Sequence, residues 1–224
     1  MPKRNRKKEH YGSLLTINNE QLEINSTETL GVYPKIIEKM VDQLDICLQI
    51  HKRVFVLRFD LHLKEYSGDN KIISTFMNRL KQWIKRNYKT KDIGSIWVRE
   101  QERAKTQHYH VALFIDGDVI RTSQRLLRAI RTKWFKYGHC PVIKHPYYFI
   151  DKHNLEDERK KVIKRVSYLA KTRGKGYRNP QAKDYSTSRL KLNIVKALDP
   201  LHHQYYVKMS LSGLSLIMIL LICF

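Results

Sequence analysis

Two hydrophobic periods run through the chain. The segment 53–63, RVFVLRFDLHL, alternates with period two: Phe55, Leu57, Phe59, Leu61 and Leu63 fall on one face, and Val54, Val56, Arg58, Asp60 and His62 on the other. That pattern predicts a strand with one wholly apolar side. SIWVREQE (95–102) and QHYHVALFID (107–116) repeat the alternation, lie a few polar residues apart and predict a hairpin. CPVIKHPYYFI (140–150) predicts an edge strand, because its two prolines would interrupt a central ladder.

Between these segments the period changes to that of a helix. Residues 34–50 start on a proline, and 71–86 carry Ile72, Ile73, Phe76, Met77, Leu80, Trp83 and Ile84 on one stripe. From Asp118 to about Phe135, Leu126, Leu127, Ile130 and Trp134 point inward beneath a row of arginines. Residues 155–172 start acidic and end basic, which complements a helix dipole. The order predicts an α+β fold: a split βαβ (ferredoxin/RRM-like) sandwich with a central antiparallel sheet and helices on one face. Residues 1–33 read as a basic, partly disordered arm, 34–190 as one domain, and 191–224 as an extension.

Charge narrows the partners. Lys and Arg number 43 against 21 Asp and Glu, a net +22 spread along the chain, which favours a polyanion such as nucleic acid over an anionic membrane surface. Cys47, Cys140 and Cys223 are too scattered for a zinc knuckle or a disulfide framework, and a reducing cytoplasm is expected. The basic start has no apolar run after it, so no signal peptide is expected. The apolar end, LSGLSLIMILLICF (211–224), would reach only about 21 Å as a helix against a hydrocarbon core of about 30 Å, and no membrane partner is assigned from it.

Chemistry concentrates on a few positions. His108 and His110 project from one side of their strand. In a register that keeps apolar faces together, Glu100 or Glu102 lies beside them. Two imidazoles and one carboxylate form a three-ligand site with open positions, suited to Mg²⁺ or Mn²⁺ in the presence of a phosphate, or to other divalent ions. On the last helix Val162, Ile163, Val166, Leu169 and Ala170 define the apolar arc, and Tyr168 points away from it among Lys161, Lys164 and Lys171. Tyr-x-x-Lys occurs also at Tyr88 and Tyr205, so helical placement and order select Tyr168. Asp60 and His62 share a strand face and could reach the site, although the face reads first as a polar outer one. The arginine row, Arg99, Lys164, Arg165, and the stretch KTRGKGYR (171–178) with Arg173 and Lys175 are candidate DNA contacts, with Tyr177 available for stacking.

In order, FVLRFDLHL, HYH and YLAK resemble the three signatures of HUH endonucleases, the rolling-circle replication initiators and their relatives. RFDLHL, WVREQERAKTQHYHVALFID, SYLAKT and YSTSR (185–189) are most similar to the inovirus-type replication protein family of phages and prophages, over roughly residues 35–190. The resemblance implies a metal-dependent, single-tyrosine nickase acting on single-stranded DNA at a replication origin. It implies His108, His110 and Glu100 (alternatively Glu102) as ligands of Mg²⁺ or Mn²⁺, and Tyr168 as nucleophile. Lys171 would stand beside the phosphate as a point charge. A host helicase and a single-strand binding protein are partners implied by the resemblance alone. Plasmid mobilisation and transposition use the same chemistry, and a non-catalytic DNA-binding protein would share the charge.

Overall fold

The computed structural model of the chain describes residues 8–101, 106–176, 179–180 and 182–192. Its centre is a six-stranded antiparallel sheet. β3 (Arg53–Leu63) pairs with β5 (His108–Asp116), which pairs with β4 (Gly94–Glu100), which pairs with β8 (Tyr185–Thr187); β6 (Gly138–His139) and β7 (Tyr147–Asp151) share the far side of β3. The spatial order β7-β3-β5-β4, with α2 (Lys71–Tyr88) linking β3 to β4 and α3 (Gln124–Trp134) between β5 and β7, is the expected split βαβ arrangement.

Helices cover both faces of this sheet, which corrects the one-face expectation. Phe55, Leu57, Phe59, Tyr109 and Val111 pack beneath α2 and α3. Val54, Val56, Val98, Ala112 and Phe114 pack on the opposite side with α1 (Pro34–Ile50) and α4 (Leu155–Ser167). The physical reason lies in β3 and β5: their even-numbered positions include valine, alanine and phenylalanine, which need cover as much as the odd-numbered ones.

The amino-terminal arm needs a second correction. From residue 8 on, the described part is folded, with a hairpin of β1 (Leu14–Ile17) and β2 (Glu20–Glu23). Asn18 and Asn19 adopt φ of 50° and 64°, as a tight primed turn requires. Leu15, Ile17, Leu22, Ile24, Val32 and Tyr33 are buried in the same core as α1 and α4. The period-two run LLTI is only four residues long and stands among many polar neighbours, which hide its alternation. α3 is also shorter than expected: its first helical residue is Gln124, and Val119 to Ser123 form the approach to it. β7 starts only after Pro146, whose carbonyl accepts from Arg58 N–H. Among the described residues no helix is long and apolar enough to cross a membrane; the apolar stretch 211–224 lies outside them.

Candidate active site

The hairpin register sets Glu100 opposite His108 and Val98 opposite His110, so all three polar side chains leave the α1/α4 face near one end of the sheet. Ligand atoms of Glu100, His108 and His110 lie within 4.8 Å of one another. A nitrogen–nitrogen–oxygen set of this size suits a divalent cation with positions left open for substrate. The alternative ligand, Glu102, lies outside the described residues.

His110 is held from both sides. Its Nδ1 is 2.8 Å from Asp60 Oδ1, and its Nε2 is 3.1 Å from Glu100 Oε2. Burial disfavours a charged ring, but the bonds to Asp60 and Glu100 outweigh it and raise the pKa of His110 above its usual value. The same imidazole lowers the pKa values of Asp60 and Glu100 against their own burial. His108, by contrast, is pushed down to about 4 by burial and by the charge on His110. Without metal, an added proton therefore favours His110 over His108, and a cation bound at Nε2 would take that proton's place. Asp60 then remains as the carboxylate that orients the ligating imidazole.

Tyr168 stands at the edge of this cluster. α4 ends at Ser167, and Tyr168 to Ala170 form a 3-10 turn instead of the continued helix expected to 172. The turn aims the tyrosine ring at the sheet: its centroid is 5.8 Å from that of His110, edge to face. The Arg58 guanidinium lies 5.4 Å from the ring centroid and Lys171 Nζ lies 4.2 Å from it. Arg58 also donates to Asp60 at 3.3 Å. Tyr33 N–H donates to Ala170 C=O, and Val32 bridges to Lys171, so the amino-terminal segment pins the turn.

The family model for the YagK/YfjJ C-terminal domain matches residues 15–184. The chain belongs to that family, one of prophage-associated proteins. No curated protein and no solved structure matches the chain. The matched stretch of this YagK/YfjJ domain starts in β1 and runs past the Tyr168 turn, so it includes the hairpin as well as every ligand of the cluster.

Other expected DNA contacts are placed differently. Arg99 is 2% exposed and donates to the carbonyls of Ser67 and Asp69 and to Asn70 Oδ1, which makes it the anchor of the loop before α2 and not a phosphate contact. Lys175 is buried, with Nζ 3.6 Å from Glu100 Oε2, and acts as a countercharge to that ligand. Gly174, at φ +74°, carries its carbonyl to Gln101 N–H; a Cβ there would come within 2.5 Å of Glu100 Cγ. The stretch 171–175 is thus a clamp on Glu100, with Arg173 exposed on its outside. Lys164 is exposed and ion-paired with Glu23, and Arg165 donates to the carbonyl of Lys144. Tyr177 lies outside the described residues.

Arg58, Asp60 and Gly174 are the site residues that sequence reasoning missed or weighted too low. For Asp60 a signal existed: it shares a strand face with His62, and pairing β3 with β5 puts it directly opposite His110.

Proposed function

We propose that this domain is a metal-dependent, single-strand DNA nicking and joining enzyme that forms a 5′-phosphotyrosine through Tyr168. What supports the reading is the convergence of a tyrosine and a lysine from the end of α4 on a three-ligand His/Glu cluster in the sheet.

Glu100, His108 and His110 would hold a divalent ion such as Mg²⁺ or Mn²⁺, which would supply Lewis-acid polarisation of the scissile phosphate. Asp60 fixes the His110 ring, and Lys175 and Gly174 fix Glu100. The Tyr168 hydroxyl gives its proton to solvent and attacks phosphorus; the bond from Oη to phosphorus forms as the bond from phosphorus to the 3′ oxygen breaks. The departing 3′ oxygen takes a proton and becomes a free 3′-OH. Lys171 and Arg58, both beside the Tyr168 ring, favour negative charge developing there. Because the phosphotyrosine retains phosphodiester energy, a 3′-OH can reverse the attack and join the ends.

Rolling-circle replication of a phage or prophage genome, in a cytoplasm that keeps Cys47 and Cys140 reduced, is the setting that fits. Mobilisation of a plasmid or transposon uses the same residues in the same roles. A non-catalytic DNA-binding protein would explain the charge but gives Tyr168 and its neighbours nothing to do. The test is incubation with single-stranded DNA from the protein's own locus, with Mn²⁺ or with EDTA. Metal-dependent cleavage that leaves protein on the 5′ end is expected; binding without cleavage across the locus overturns the reading.

A further inference from the structure

The two helical layers differ in how their charge is used. On the α1/α4 side, lysines and arginines are paired: Lys35 with Glu38, Lys39 with Asp42, Lys160 with Glu156, Lys161 with Glu158, and Arg159 with both Glu20 and Asp45. On the α2/α3 side there is almost nothing to pair with. Residues 71–91 contain seven Lys/Arg and no Asp or Glu, and residues 119–150 contain another seven and again none. Among the described residues, the one ion pair on either helix joins Lys71, at the first turn of α2, to Asp69.

The cations where α2 and α3 meet form one surface. Arg125 of α3 donates to Asn87 of α2 and lies 5.3 Å from the Tyr88 ring centroid, so the basic rows of the two helices meet. Lys85, Arg86, Arg125 and Arg128 are all exposed. Keeping like charges together without countercharges costs stability, and a polyanion removes that cost. The layer covers the face of the sheet opposite the His/Glu/Tyr168 cluster.

We propose that the α2/α3 layer is a binding surface for the phosphate backbone of duplex DNA, separate from the single-strand site on the other face. The two rings that lie among these cations, Trp83 and Tyr88, favour a duplex over a single strand. Trp83 has Arg125 at 6.0 Å and Lys133 at 5.7 Å from its ring centroid, and Tyr88 has Arg125 over it, so these rings support cations and are not presented for base stacking. α2 is 18 residues long, which spans about 27 Å, or roughly eight base pairs of backbone. Contacts of this kind position a duplex without reading its sequence. The inference does not depend on Tyr168 being a nucleophile, since holding a duplex needs no chemistry. If the nicking reading also holds, this surface grips the duplex beside the strand that is cut.

The test compares two fourfold neutralised variants of the full chain with equal change in net charge: K85Q/R86Q/R125Q/R128Q on the proposed surface and K35Q/K39Q/K160Q/K161Q on the opposite one. All eight side chains lie on the outer faces of their helices, and circular dichroism checks that both variants fold. Binding of a labelled duplex of about 20 base pairs, of arbitrary sequence, is followed by anisotropy in EDTA over a range of KCl. The first variant should lose more than about tenfold in affinity and about two to four from the slope of log K against log salt, the second less than about threefold. Equal losses in the two variants, or no loss in the first, overturn the proposal. A third arm uses vesicles rich in phosphatidylserine: if the surface variant loses binding to vesicles but not to duplex DNA, the surface serves a membrane and the proposal fails. Metal-dependent cleavage plays no part in these readouts, so the nicking reading can fail without affecting them.

Discussion

Asp60 Oδ1 accepts from His110 Nδ1 at 2.8 Å across the β3–β5 pairing, and this bond organises the whole site. It fixes which ring nitrogen, Nε2, is left for a metal, and Arg58 on the other side holds the carboxylate in turn. A site built on three adjacent strands is more rigid than one carried on loops.

Asp60→Asn tests that relationship. The amide keeps the shape but cannot act as a carboxylate partner to the imidazole, so Mn²⁺ affinity measured by calorimetry should fall by about 10- to 100-fold with the fold intact. Unchanged affinity would mean that His110 does not need Asp60.

The two histidines should titrate in opposite directions. Without metal, NMR of the imidazole nitrogens should show His110 still charged above its ordinary range and His108 neutral down to about pH 4. The signs for stability follow. His108 has a lowered folded pKa, so acidification from about 6.5 toward about 4 protonates the unfolded chain preferentially and removes stability. His110 has a raised one, so its contribution is fully present below about 6.5 and is lost as the pH rises through the folded value. Metal binding displaces the His110 proton, and Mn²⁺ affinity should therefore rise by up to about tenfold per pH unit below that value. A pH-independent affinity would contradict His110 as a ligand.

Gly174→Ala should damage both fold and site. The residue sits at φ +74°, and its new Cβ would meet Glu100 Cγ. The backbone term alone costs about 1–2 kcal/mol, which lowers Tm by roughly 2–8 °C for a chain of this size. Metal affinity should drop too, because Glu100 must move. A variant with native Tm and native Mn²⁺ binding would show that the clamp is dispensable.

The amino-terminal hairpin is part of the domain, and Leu22→Ala measures how much. Leu22 is 1% exposed in the core shared with α1 and α4, so truncation should cost about 2–5 kcal/mol by denaturant unfolding. A chain starting at residue 34 would also lose the Val32 bridge and the Tyr33 N–H that hold the Tyr168 turn. A cost below about 0.5 kcal/mol for Leu22→Ala would place the hairpin outside the cooperative unit.

Much of this arrangement was legible in the sequence. The alternation in 53–63, 95–102 and 107–116 fixed strand faces, and parity then put Glu100 or Glu102 beside the histidine pair; the β4–β5 register decides for Glu100, opposite His108. What stayed hidden depends on partners far apart in the chain. Asp60 looks like an outer-face polar residue until α1 and α4 are known to cover its side of the sheet. Arg99 and Lys175 look like exposed cations because residue type carries no record of burial; one is consumed by loop carbonyls and the other by Glu100. The hairpin at 14–23 is too short for its alternation to stand out, and its burial comes from helices more than ten residues downstream.

The most direct measurement is a denaturing gel of the protein and its Tyr168→Phe variant, each incubated with labelled single-stranded DNA from its own locus and Mn²⁺, followed by mass spectrometry of any adduct. The account predicts a covalent adduct on the peptide containing Tyr168, lost in the variant and in EDTA, while DNA binding by the variant is retained. An adduct that survives Tyr168→Phe, or cleavage with no adduct, would contradict it.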